Sequence, residues 1–248
     1  MSTDSNTAPN APKPRQDAGW LAETLDTRPE IVWMGPFMVY LILLGLNDKV
    51  PEEWMAVPIA FRGIGGLAAF WVVRSRLPSL GKPHLLLGIA CGILAAAGWV
   101  LGQHLFNAVG LGGSWFGLKP GPDGHDPRTG LTTAAWASQV VLRITVATIT
   151  VPVVEELFWR GFMLRTFINW QRFETVSLGT FTWVSFLGTA LLSTVQHPAN
   201  WGVSIFCWMA FNALFYWKKS LLFLMIVHGV TNLALYLYVI IHHDWIFW

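Results

Sequence analysis

The stretch VPVVEELFWRGFMLR, residues 151–165, places two glutamates and two arginines in a run otherwise dominated by Val, Leu, Phe, Met and Trp. Ionisable side chains surrounded by that much apolar surface are costly, so they either neutralise one another or perform a task. Spacing sorts them. On a helix Glu156 and Arg160 are four apart and share a face, where they can pair. Glu155 is turned about 100° from Glu156 and points elsewhere, so one carboxylate is held while its neighbour is free to face a cavity. The same chain contains a control: PEEW, 51–54, also has paired glutamates, Glu52 and Glu53, but beside Asp48 and Lys49 at the start of an apolar segment. That pair reads as a solvated helix N-terminus. Surroundings, and not the dipeptide, carry the signal.

Outward from 151–165 the chain stays apolar. Of 248 residues, 54% are hydrophobic and 12% charged, and the mean hydropathy is +0.48. These values describe a membrane protein with little left for a soluble domain. Sixteen basic against 14 acidic residues leave a net charge of +2, too balanced to suggest nucleic acid as a partner. Cys91 and Cys207 both lie in apolar segments and suggest no disulfide framework.

Seven apolar segments, about 31–46, 54–73, 84–107, 133–157, 181–200, 202–217 and 221–241, are expected to be helices, because lipid offers an isolated span no other way to satisfy its backbone. An eighth helix can be drawn in the amphipathic GFMLRTFINWQRF, 161–173. The expected fold is an all-α, polytopic membrane bundle of seven to eight transmembrane helices over 29–248. It follows a Pro-, Ala- and Ser-rich tail, 1–28, that reads as disordered and cytoplasmic. Lys and Arg divide 11 to 3 in favour of the side holding the N-terminus, which makes that side cytoplasmic, and the 15 tryptophans suit an interfacial belt. A bacterial source would put the chain in the inner membrane. The loop at 108–132, with LKPGPDGHDPRTG, is turn-rich, and His125 there reads as a solvated histidine.

Two further polar sites lie in apolar surroundings. In LLSTVQHPANW His197 closes the fifth segment before Pro198, and in LMIVHGVTNLALY His228 and Asn232, four apart, project from one face of the seventh. With Glu155 they supply a base, two imidazoles and an amide, a complete set for hydrolysis. Depth agrees for Glu155, His228 and Asn232. His197 joins them only if 170–182 is largely interfacial and the fifth helix starts near Phe181. Arg143 is expected to snorkel outward. Arg62 is read as a cap on a carbonyl or headgroup. The terminal IHHDWIFW, with His242, His243 and Asp244, is read as an interfacial end.

Glu155-Glu156-x-x-x-Arg160, then His197, then His228-x-x-x-Asn232 resemble the three motifs of the CPBP family, the CAAX prenyl proteases and bacteriocin-processing (Abi) proteins, over about 150–235. The resemblance implies an all-helical intramembrane endopeptidase of glutamate type. Glu155 would activate water that His197 helps to hold, His228 and Asn232 would steady the oxyanion, and Glu156 and Arg160 would support the site. One departure is Ser193, where the family commonly has Phe four residues before the second-motif His. No cofactor is expected. A metal-dependent variant would bind Zn²⁺ through Glu155, His197 and His228 with one open position. The implied partners are the bilayer and a membrane-anchored protein or peptide substrate. The competing reading is a non-enzymatic transporter or immunity/scaffold protein using the same polar groups as a proton relay or structural network.

Overall fold

The computed structural model describes residues 19–113 and 124–248. It is all-helical, with no strand among the described residues. We number the helices α1 (Trp20–Thr27), α2 (Pro29–Leu44), α3 (Ala56–Val73), α4 (Leu85–Ala108), α5 (Thr133–Thr166), α6 (Trp183–Gln196), α7 (Trp201–Lys218) and α8 (Leu221–His242). The segments Glu52–Arg76, Leu85–Ala108, Thr133–Thr166 and Leu221–His242 are long and apolar enough to cross a bilayer. The chain is thus an integral membrane protein.

Each of the seven segments expected to be helical is so, with ends shifted by a few residues. The eighth helix is not where the amphipathic pattern put it. Residues 161–166 are the end of α5, and the rest of 161–173 is a turn leading to a single 3-10 turn at Phe173–Thr175. The extra helix is α1 instead, inside the last part of the expected 1–28 tail; residues 1–18 of that tail lie outside the described residues, as do 114–123 of the 108–132 loop.

Local chemistry sets the boundaries. Thr132, Thr182 and Ser220 cap α5, α6 and α8, each side-chain oxygen accepting from the backbone N–H three residues on. Lys219, in the left-handed region at φ 50°, ends α7 and lets α8 begin two residues later. Between α6 and α7 only the 3-10 turn Pro198–Asn200 intervenes.

Close approach of backbones places α8. A Cβ at Gly92 of α4 would lie 2.6 Å from Val230 Cβ, and one at Gly229 would lie 2.6 Å from the Thr148 carbonyl oxygen of α5. Small residues are what allow such contacts in a bilayer, where association rests on packing and not on a hydrophobic drive. Thr231 Oγ1 adds a hydrogen bond to the Gly92 carbonyl at 3.2 Å. α8 is therefore clamped between α4 and α5, with His228 and Asn232 turned toward α5.

α5 is not a uniform helix. It widens into π-helical turns at Val146–Thr150 and Leu157–Met163, on either side of Val151–Glu156. Pro152 has no N–H to give the Thr148 carbonyl, which accounts for loosening the first of these. The glutamate pair sits between the two widened turns, against the buried core of Trp33, Leu157, Phe211, Phe215, Phe223 and Val227.

Candidate active site

Glu156 and Arg160 are both 0% exposed. Arg160 Nη1 donates to Glu156 Oε1 at 3.2 Å and lies 3.1 Å from Oε2, the helical pairing that the spacing predicts. The Arg160 guanidinium also faces Trp208 and Phe211, with Cζ 5.2 and 5.6 Å from the ring centres. Glu156 has a second partner that the spacing along one helix does not reveal: His228 Nδ1 lies 2.8 Å from Glu156 Oε1. A carboxylate on Nδ1 makes that nitrogen the donor and leaves Nε2 to face outward.

Nε2 faces Glu155. The separation from Glu155 Oε2 is 4.0 Å, too long for a direct hydrogen bond and within what one water molecule bridges. The other Glu155 oxygen, Oε1, accepts from the side-chain amide of Gln196, whose own oxygen accepts from Trp159 Nε1 at 2.9 Å. Glu155 is 5% exposed and points into the bundle. Gln196 is the residue that sequence reasoning missed. Its one signal was its place immediately before His197, at the last turn of α6.

His197 reaches this level because α6 begins at Trp183, capped by Thr182, and residues 167–182 are not regular helix. This is the condition the depth argument required. Its ring packs edge-on against Trp99 at 5.3 Å and against Trp208 at 5.3 Å, and Trp208 also flanks His228 at 6.3 Å. The two imidazoles thus share one tryptophan. Glu155 is bonded directly to Gln196, the residue that precedes His197 in the chain.

Asn232 is half-buried and donates from Nδ2 to the Ala147 carbonyl at 2.7 Å, in the first widened turn of α5. One amide hydrogen is thereby engaged and the second remains for a ligand.

Ser193, the departure from the family pattern, is 0% exposed and has a packing role. Its hydroxyl bonds the Ala190 carbonyl at 2.6 Å and the Ser204 hydroxyl at 2.7 Å. It tethers α6 to α7 next to the turn that carries His197, and Trp208 supplies the aromatic surface beside that ring.

Among the described residues no three His, Cys, Asp or Glu side chains come together as a metal-binding group. At the far end of the bundle His104 Nε2 lies 2.8 Å from Asp244 Oδ2, which also accepts from Tyr238 at 3.0 Å. The guanidinium of Arg143, a half-buried residue, lies 4.5 Å from the ring centre of Trp248.

Fold and site together define a polytopic helical membrane protein with a buried cluster of carboxylates, imidazoles and amides gathered from three helices and a turn. Residues 137–234 match the family model described as type II CAAX prenyl endopeptidase Rce1-like, in line with the family that the sequence motifs resemble. The matched segment includes every residue from Glu155 to Asn232. No match was found among curated proteins or among solved structures.

Proposed function

We propose that this protein is an intramembrane endopeptidase that hydrolyses a peptide bond of a membrane-associated protein or peptide. The observation that carries the reading is the pair of unequal glutamates: Glu156 is neutralised by Arg160 and His228, whereas Glu155 keeps one oxygen turned toward His228 Nε2 at 4.0 Å. Water attacks an amide only with a base to remove its proton. Glu155 is that base, oriented by Gln196, and His197 lines the opposite side of the water. In its imidazolium form His228 gives its Nδ1 proton to Glu156 and offers its Nε2 proton to the developing oxyanion. Asn232 adds its free amide hydrogen. Donors placed in this way are each worth roughly 3–4 kcal/mol in the transition state.

The reaction runs on this chain's own residues, and a zinc-dependent variant of it is separated by chelation. Cleavage that survives strong chelators supports the glutamate mechanism; cleavage lost on chelation and restored by zinc would replace it. The main test is Glu155→Gln against Glu156→Gln in detergent or nanodiscs. Loss of cleavage with folding retained in Glu155→Gln supports the peptidase. Equal collapse of folding in both variants would instead make the cluster structural. We place the N-terminus on the cytoplasmic side, in line with the Lys/Arg distribution.

A further inference from the structure

Trp159 lies four residues after Glu155, in the widened turn Leu157–Met163 of α5. It is 6% exposed, and its ring is wedged edge-on against Phe158 at 5.1 Å and against Trp208 at 6.2 Å, with Ala190 of α6 in the same cluster. Packing of this kind locks the direction in which an indole points. The indole has one polar atom, Nε1, and that atom can only donate. Its hydrogen bond runs to Gln196 Oε1 at 2.9 Å.

A primary amide accepts on one side and donates on the other, and turning it over exchanges the two. Beside Glu155 that choice matters. With its NH2 toward the carboxyl, Gln196 donates, and Glu155 is held as a hydrogen-bond acceptor, the role of a base. With its oxygen toward the carboxyl, Gln196 could only accept, and Glu155 would have to carry the proton that a base must be free to take. A donor-only indole on the far side removes this second arrangement. Gln196 gives its oxygen to Trp159 and so turns its NH2 to Glu155 Oε1. Oε1 is thereby occupied, and Oε2, 4.0 Å from His228 Nε2, remains at a separation that one water molecule bridges.

We infer that Trp159 is a positioning residue of the site: its indole N–H fixes the Gln196 amide, which holds Oε1 of Glu155 and leaves Oε2 as the oxygen that takes the proton from water. The inference rests on the peptidase reading and adds to it the group that selects the basic oxygen. In that step an O–H bond of the water breaks and its proton passes to Oε2, while the water oxygen bonds to the scissile carbonyl carbon and the C=O π pair moves onto the oxyanion. The proton then passes to the leaving nitrogen as the C–N bond breaks. Trp159 acts on this sequence only through Gln196.

The test is a double-mutant cycle on the full-length protein in phosphatidylcholine nanodiscs, read as kcat and KM on a lipid-anchored fluorogenic peptide that the wild type cleaves. Trp159→Phe removes the N–H and keeps an aromatic ring; it should lower kcat by about tenfold or more and leave KM within about twofold. Gln196→Met keeps the length of the side chain without its amide. In that background Trp159→Phe should cost less than about twofold, since the group it acts through is gone. Benzothienylalanine placed at 159 by codon suppression, with sulfur where the indole has N–H, should reproduce the loss at an unfolding midpoint close to that of the wild type. Full activity in the benzothienyl variant overturns the inference and leaves the peptidase intact. So does a Trp159→Phe loss of the same size in both backgrounds, or one carried by KM, either of which would make Trp159 a packing residue only. Cleavage unchanged in Glu155→Gln, or no cleavage of any member of a library of such peptides by the wild type, overturns the peptidase reading and this inference with it.

Discussion

The chain contains the Glu-Glu pair twice, and the two pairs have opposite fates. Glu52 and Glu53 sit in a 3-10 turn ahead of α3, both exposed, with no ion pair among the described residues. Glu155 and Glu156 sit between two widened turns of α5, 5% and 0% exposed, within a network of Arg160, His228, Gln196 and Trp159. In water a carboxylate is well solvated and its neighbours matter little. Inside the bundle every lone pair must be met by a protein group, so the surroundings assign each glutamate a different partner set. Identical chemistry thus becomes two tasks in one pair and none in the other.

The largest expected effect is Glu155→Gln. Removing the base should lower cleavage by about a thousandfold or more, while the thermal unfolding midpoint stays near that of the wild type, since the amide keeps its place beside Gln196. Next comes Glu156→Gln, which leaves the Arg160 charge uncompensated and His228 without its Nδ1 acceptor. Breaking a buried pair in this way costs about 3–5 kcal/mol, read as a large drop in unfolding midpoint, and activity should fall with it. A result in which Glu156→Gln is as stable as Glu155→Gln would dissolve the distinction between the two carboxylates.

Gln196→Ala sharpens the contrast at a lower level. A group that only orients the base should, when removed, lower cleavage by roughly 10–100-fold, and Gln196→Asn, which keeps an amide on a shorter stem, should lower it less. Glu52→Gln with Glu53→Gln should change stability by less than about 0.5 kcal/mol and leave cleavage as it was. Smallest of all is the loop pair in which Arg128 holds Asp126 at about 2, mainly through side-chain and backbone hydrogen bonds. The folded value is depressed, so its contribution is present above the ordinary carboxylate range and is lost as pH falls from about 4 toward 2. Asp126→Asn should remove that slight acid dependence from the unfolding midpoint. With Asp126 half-buried and Arg128 exposed, this pair should have a far weaker effect than the fully buried one.

Much of the fold could be read from residue order. The seven apolar segments became helices close to their drawn limits, since each needed only its own composition and its own caps, as Thr182 and Ser220 illustrate. The helix drawn at 161–173 failed because its amphipathic pattern belongs half to the end of α5 and half to a turn. The pairing of Glu156 with Arg160 was legible because both lie on one helix. The bond from His228 to Glu156 was not, since it joins residues 72 apart in the chain. Gln196 and Trp159 escaped for the same reason, and Arg62 looked like an ordinary cap although among the described residues its Nε and Nη1 have no hydrogen-bond partner.

The sequence by itself determined that the chain is helical and membrane-embedded, which residues are polar where polarity is costly, and which of them share a helical face. These follow from short-range rules: hydropathy over a span, capping, and a period of 3.6 residues. Only the tertiary structure decided who meets whom. Gly92 and Gly229 let α8 press against α4 and α5, and the short α6 ends at the depth of Glu155. Contacts between separate helices depend on the shape of the assembled bundle, which no single helix encodes.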